Sequence, residues 1–383
     1  MDILFSMDII NKKKRITYLD IAKGMGMVLV LLGHLQNDTI FSYSPHILTL
    51  CSWIFSFHMP LFFILSGMLL CIKKENEKDL TGFIKQRFKS IMVPYFWFSL
   101  IYIGIVLYYL FVNKVIPVKT LFIQLWYVLG MYGMNVLWFL PALFAAEILF
   151  VFLTKHFKNF KSILVIIILL SLSIVVNELR KQLPNNPEIY ERINELIVTL
   201  IRPVFACSYI FIGFFLYKAF EKIKARLQKG PLIILSLPLL FFINYYINTK
   251  NRPVDFRSMV LNNYFFYYIS SVCGSLFIIL ISMILSQISF GKNKDSEKSF
   301  RLLKFYGANS LIFMAVHNNS AIMQLSLKAS MYVNLFLTRA RGYICYAVII
   351  LIYLLYVTLT ILIINRLFPF LAGKTRAKRQ AGN

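Results

Sequence analysis

YLDIAKGMGMVLVLLGHL (18–35) and, one short loop later, FSFHMPLFFILSGMLL (55–70) decide the fold class of this chain. Each belongs to an apolar run long enough to cross a bilayer core, which takes about 20 residues as an α-helix. Together they nevertheless carry Asp20, Lys23, His34 and His58 at depths where an ionisable side chain is costly, which makes each a candidate functional residue. On an α-helix Lys23 and His34, eleven positions apart, return to nearly one face at ~100° per residue, separated by about 16 Å along the axis. Asp20, three residues before Lys23, joins that face. One side of a membrane helix thus presents an acid and a base near one end and an imidazole near the other, an arrangement suited to chemistry conducted across a membrane.

The composition agrees. Of 383 residues 59% are hydrophobic, 16% aromatic and 15% charged, and a soluble protein so made would leave large apolar patches in water. The formal net charge of +25 does not point to nucleic acid, because Lys and Arg cluster between apolar runs instead of along one polar surface. Cys51, Cys71, Cys207, Cys273 and Cys345 form neither a disulfide framework nor a ligand spacing, and no metal is expected. Lys12, Lys13, Lys14 and Arg15 precede an apolar run of spanning length, so that run reads as the first transmembrane helix and not as a cleaved signal.

Apolar runs give about ten candidate spans, near 17–35, 48–71, 91–112, 136–154, 162–177, 203–219, 231–247, 262–288, 306–325 and 343–365. The expected architecture is an all-α polytopic membrane helix bundle with both termini on one side. Roughly two-thirds of the 41 Lys and Arg then fall in loops on that side, and positive charge marks it as the inner one, N-in and C-in. In this reading 1–371 is a single transmembrane domain and 372–383 a basic, disordered cytoplasmic tail. The outer segment 178–202 is amphipathic and predicts a short surface helix after Pro187. KTLFIQLWYVLGMYGM (119–134), broken by Gly130 and Gly133 and rich in Trp and Tyr, is assigned to an interfacial or re-entrant segment.

More polar groups interrupt the apolar runs. Pro60, two residues after His58, frees a carbonyl and can kink the second span, letting two imidazoles share one cavity; a helix-to-helix hydrogen bond is the alternative for His58. Ser66 and Gly67 read as a small-residue contact between helices. Lys85, Arg87 and Lys89, ahead of Pro94, serve either as a topology determinant or as a phosphate clamp for an anionic cofactor. Glu147, in the run that follows Trp138, must pair or face water. Asn309 and Ser310 open a run that reaches His317, and so dense a polar set within one span predicts a wet cavity.

Taken in order these residues resemble the signatures of the acyltransferase-3 family of bacterial membrane O-acyltransferases, particularly its fucose 4-O-acetylase-like branch. Lys23 and His34 fit the basic-x10-His pattern of the first helix, and FHMPLFFILSGML (57–69) fits the second-helix signature. LWFLPALF (137–144) and GANSLIFMAVH (307–317) fit later helices. Where many relatives carry Arg-x-x-Arg after the second helix, Arg87 is followed here by Ser90, with Lys89 beside it. The resemblance implies transfer of an acyl group, usually acetyl from cytoplasmic acetyl-CoA, to a hydroxyl of a sugar or surface glycan, in the bacterial cytoplasmic membrane. Acyl-CoA is then a donor substrate, with no permanently bound cofactor, and glycan-assembly proteins join the lipid bilayer and the glycan acceptor as partners. On this pattern His34 is the general base or a transient acyl carrier, with Lys23 and Asp20 completing the catalytic set. Arg87, Lys85, Lys89 and Lys23 hold the donor, while His58, Glu147, Trp138, Asn309, Ser310 and His317 line the acceptor path.

Two other classes suit a polar membrane core. A transporter or flippase for a lipid-linked sugar would bind cargo with the same groups, but no inverted repeat is visible. A catalytically silent synthase subunit has no use for so many intramembrane ionisable residues.

Overall fold

The computed structural model describes residues 16–34, 45–77, 79–157, 160–182, 188–227, 231–289, 300–318 and 341–374, together with Lys328. These residues form helices joined by turns, with one isolated bridge between Asp255 and Val260. Helix α1 (Thr17–His34) is followed by α2 (Pro45–Phe55) and α3 (His58–Ile72), so the second apolar run is broken at Ser56 and Phe57. Pro60 accounts for the break. In the first turn of α3 its missing N–H is harmless, whereas within one continuous helix it would orphan the Ser56 carbonyl.

Helix α4 (Leu80–Arg87), capped by Asp79 accepting from the Gly82 N–H (3.0 Å), runs through a π-helical segment, Phe88–Met92, into α5 (Val93–Phe111). Helix α6 (Val118–Leu129) has 12 residues. At 1.5 Å per residue that is about 18 Å, short of a bilayer core and in line with a non-spanning reading of 119–134. The Tyr95 hydroxyl ties its last turn to α5 by donating to the Val128 carbonyl (2.9 Å). A 3-10 turn, Asn135–Trp138, then leads into α7 (Phe139–His156), followed by α8 (Phe160–Arg180).

Helix α9 (Glu188–Leu227) corrects the sequence reading: its 40 residues absorb both the short surface helix expected after Pro187 and the span expected at 203–219. No helix breaker stands between Glu188 and Arg202, and Arg192 pairs with Glu195 one turn on (2.6 Å). Next come α10 (Pro231–Asn251), α11 (Tyr264–Ser289), α12 (Arg301–Ala308), α13 (Ser310–Val316) and α14 (Arg341–Leu367). The run expected to span 306–325 is split at Asn309, whose φ of −116° leaves the helix and whose Nδ2 donates to the Phe305 carbonyl (3.0 Å). Residues 319–325 of that run lie outside the described residues, as do Lys12, Lys13, Lys14 and Arg15.

By length and composition seven described stretches can each cross a membrane: Leu48–Ile72, Leu80–Phe111, Asn135–His156, Phe160–Arg180, Ile189–Lys222, Tyr264–Gln287 and Ala347–Leu367. The chain is a polytopic helical membrane bundle, and its apolar core is continuous from Leu19 to Leu371. Lipid is as apolar as Leu, so close backbone approach must supply much of the helix association. Gly67 and Gly213 join α3 to α9 in this way, since a Cβ on either would fall 2.0 Å from a carbonyl oxygen of the other helix, Ile210 or Ile64. Gly24 and Gly307 do the same for α1 and α12, against Leu303 (2.0 Å) and Asp20 (1.9 Å).

The chain leaves α14 through a 3-10 turn, Pro369–Ala372. Lys374 Nζ donates to Asn365 Oδ1 (2.8 Å) and Asn309 Oδ1 (3.3 Å), so the first residues of the predicted tail are tied to the bundle. Residues 375–383 lie outside the described residues.

Candidate active site

A cavity of about 440 Å³ opens between α1, α3, α7, α13, the π-helical segment and the loop joining α10 to α11. That volume suits a small-molecule site. Lys23 and His34 both line it, so α1 turns toward the cavity the face that their spacing marks out, and about 16 Å of helix separates them as its two ends. Arg87, His58, Glu147, Trp138, Ser310 and His317 line it as well.

Four candidates stand outside. Asp20 lies one turn before Lys23, near enough for its charge to act on the ammonium. Lys85 and Lys89 are exposed. Asn309 is buried at the α12–α13 break, where its Oδ1 accepts from Asn365 Nδ2 (2.9 Å).

The Lys23 end is built around an ion pair. Arg87 Nε stands 2.9 Å from Glu147 Oε2, in Coulombic contact without hydrogen-bond alignment, and the Ser66 hydroxyl donates to Glu147 Oε1. The sequence reading gave Arg87 and Glu147 to different ligands; the fold joins them. Lys85 and Lys89 each stand two residues from Arg87 and so on the other side of the helix, and Arg87 faces the cavity while they do not. Lys73, which the sequence reading had left among the topology charges, also lines this end. Lys23, Lys73 and Arg87 therefore face one wall carboxylate, Glu147, and the excess positive charge suits an anionic ligand.

At the other end imidazoles gather. The His34 ring centroid is 5.1 Å from that of His317 and 5.9 Å from Phe55, which in turn stands 4.9 Å from His58. His58 Nδ1 donates to the Ile54 carbonyl (3.0 Å) and His317 Nδ1 to the Met314 carbonyl (2.7 Å). A carbonyl only accepts, so in a neutral ring each Nδ1 carries the proton and each Nε2 keeps a lone pair. His317 Nε2 and His34 Nδ1 are buried with no hydrogen-bond partner among the described residues. Buried polar atoms in that state are open to a ligand.

The sequence reading missed the rest of this end. Asn135, Asp255 and Arg257 line the cavity from a turn and a loop, with no local signal beyond polarity. Behind them Arg202 is fully buried, 4.9 Å from the Trp138 ring and 5.1 Å from that of Tyr132. Its guanidinium donates to the carbonyls of Tyr132 (3.2 Å) and Arg257 (2.6 Å). Arg202 had a readable signal, a charge inside a span, which was hidden by beginning that span at residue 203.

The arrangement offers a cationic end and a proton-accepting end on one helix, joined by a single cavity. A family model described as an acyltransferase domain matches residues 16–364. No curated protein and no solved structure matches.

Proposed function

The chain belongs to the acyltransferase-3 family and is a multi-pass membrane acyltransferase; from that premise we propose that it moves an acyl group, acetyl foremost, from acyl-CoA to a hydroxyl of a sugar or surface glycan. The observation that carries this reading is the single cavity with cations at one end of α1 and imidazoles at the other. In the N-in orientation the Lys23 end faces the cytoplasm of a bacterial cell. Lys23, Lys73 and Arg87 hold the donor's phosphates there, Arg through a planar fork and Lys as a point charge. Glu147 yields Arg87 as the anion arrives. The pantetheine arm then follows α1 and brings the thioester carbonyl to His34.

At that point an imidazole nitrogen takes the hydroxyl proton as the oxygen attacks the thioester carbon. The C–S bond breaks, and the proton passes to the departing thiolate. His34 is the base, while His317, fixed as an acceptor at Nε2, steadies the imidazolium that forms. Trp138 walls the acceptor side, beside Phe256.

The test measures acetyl incorporated into surface glycan and free thiol released from acetyl-CoA, in wild type, His34→Ala and Lys23→Ala. Both signals fall in His34→Ala, and Lys23→Ala raises the donor KM. Unchanged acetylation in both variants at normal protein levels would overturn the reading.

A further inference from the structure

Residues 252–263 supply Asp255, Phe256 and Arg257 to the wall at the His34 end, and the way this loop is fastened bears on the acceptor. Asp255 and Val260 exchange backbone hydrogen bonds (2.7 and 2.9 Å). The Asp255 carboxylate, the one acid in the segment, accepts from the N–H groups of Arg257 (2.9 Å) and Ser258 (3.3 Å) and from the Ser258 hydroxyl. Three consecutive carbonyls are then held from behind: Arg257 by Arg202 (2.6 Å), Ser258 by Arg180 (3.1 Å) and Met259 by Asn177 (3.0 Å). Phe256 packs between Phe63 and Trp138. The loop is thus anchored on both sides of Arg257, whose side chain lines the cavity.

Its guanidinium has no ion pair and no side-chain hydrogen bond among the described residues, since the nearby carboxylate is engaged within its own turn. Arg202 and Arg180 add two more positive charges behind the same turn, so like charge accumulates there. Arg257 and Asp255 are also the charged neighbours that act on His34. A cationic fork presented by a fixed loop, beside apolar walls and near the base, is half of a charge-assisted pair.

Resting on the acyl-transfer reading above, we propose that the acceptor is an anionic saccharide, in which the acylated hydroxyl lies close to a carboxylate or phosphate bound by Arg257. A neutral saccharide would offer the guanidinium only hydroxyl acceptors and no counter-charge for its desolvation, so the same residue favours acidic over uncharged sugars. The carboxylate of an acidic sugar and the phosphate of a lipid-linked sugar share this chemistry.

The test compares glycan and glycolipid fractions, by mass spectrometry, from the native host carrying wild type, His34→Ala, Arg257→Gln or Arg257→Lys in place of the chromosomal gene. The acylated species lost in His34→Ala carries an acidic sugar if it lies in the polymer, or a phosphate-linked sugar if it lies in the lipid fraction. Arg257→Gln lowers that species about tenfold or more at equal protein level, and Arg257→Lys less, because Lys keeps the charge without the fork. With the isolated acceptor, Arg257→Gln raises the acceptor KM far more than it lowers kcat. An acylated unit that is neutral and free of phosphate overturns the inference while leaving acyl transfer intact. So does wild-type acylation by Arg257→Gln. If that variant fails to fold, the charge of the species lost in His34→Ala decides. No change in any acylated species with His34→Ala sinks the acyl-transfer reading, and this inference falls with it.

Discussion

At the Lys23 end of the cavity charge meets charge, with Arg87 against Glu147 and Ser66 completing the contact, whereas at the His34 end His34 Nδ1 and His317 Nε2 face no partner among the described residues. At the first end Arg87 is already paired before any ligand arrives and must be released to bind one. The second is fixed by backbone hydrogen bonds at Ile54, Met314 and the 252–263 loop, and it waits with unmet hydrogen-bonding capacity. Damage to the two ends therefore separates by readout. The His34 end governs rate and acceptor affinity, and the Lys23 end governs donor affinity and the stability of the bundle.

The sharpest separation comes from His34→Ala, which removes the base while leaving the ion pair untouched. Turnover falls about 10²- to 10⁴-fold, with no loss of thermal stability in detergent. A melting temperature that collapsed along with the rate would make His34 a structural residue and erase the contrast. At the opposite end Glu147→Ala strands a buried guanidinium. Breaking such a pair costs about 3–5 kcal/mol, read as a lower melting temperature. The double exchange Arg87→Met with Glu147→Leu recovers most of that stability, because apolar groups of similar volume replace a pair that is expensive to desolvate. It does not recover donor affinity. Recovery of both would show that Arg87 has no part in binding.

Much of this contrast was legible in the sequence, and what was legible shares a cause. Lys23, His34, His58, Glu147 and His317 all interrupt apolar runs, and an ionisable group in a span is conspicuous against its neighbours. Arg257 and Asp255 lie in a polar loop, where charge is ordinary and nothing marks a segment that folds back into the bundle. The boundaries were less readable than the spans. Asn309 splits α12 from α13 through its own side chain, and α9 runs straight through a segment whose amphipathic pattern suggested a separate helix. Local hydrogen bonds and ion pairs, not apolar periodicity, decided both.

Arg202 joins the two kinds of residue, because it is a charge inside a span that holds a loop. Arg202→Met leaves the carbonyls of Tyr132 and Arg257 without their donor, a loss of about 1–3 kcal/mol for a buried group. The effect is local to the His34 end. Backbone amides of 252–263 exchange faster with solvent, and the acceptor KM rises while the donor KM holds. Equal changes in both constants would mean that the two ends do not act separately.

The smallest effect belongs to Lys85 and Lys89, and it tests how the Lys23 end was assembled. Sequence alone groups them with Arg87 as one basic cluster, since all three fall within five positions ahead of Pro94. Helix geometry breaks that grouping, because residues two apart do not share a face: Arg87 faces the cavity while both lysines are exposed. A cation in open solvent is screened, and exposed substitutions away from packing contacts usually stay within about 0.5 kcal/mol. Lys85→Ala combined with Lys89→Ala should therefore change the donor KM less than about fivefold by that measure, taken once for each lysine, against a much larger rise for Arg87→Met. The residual effect should vanish as salt is raised, because only long-range attraction of the donor is lost. A loss as large as that of Arg87→Met, persisting in high salt, would mean that the lysines touch the phosphates and that the clamp extends beyond the cavity wall.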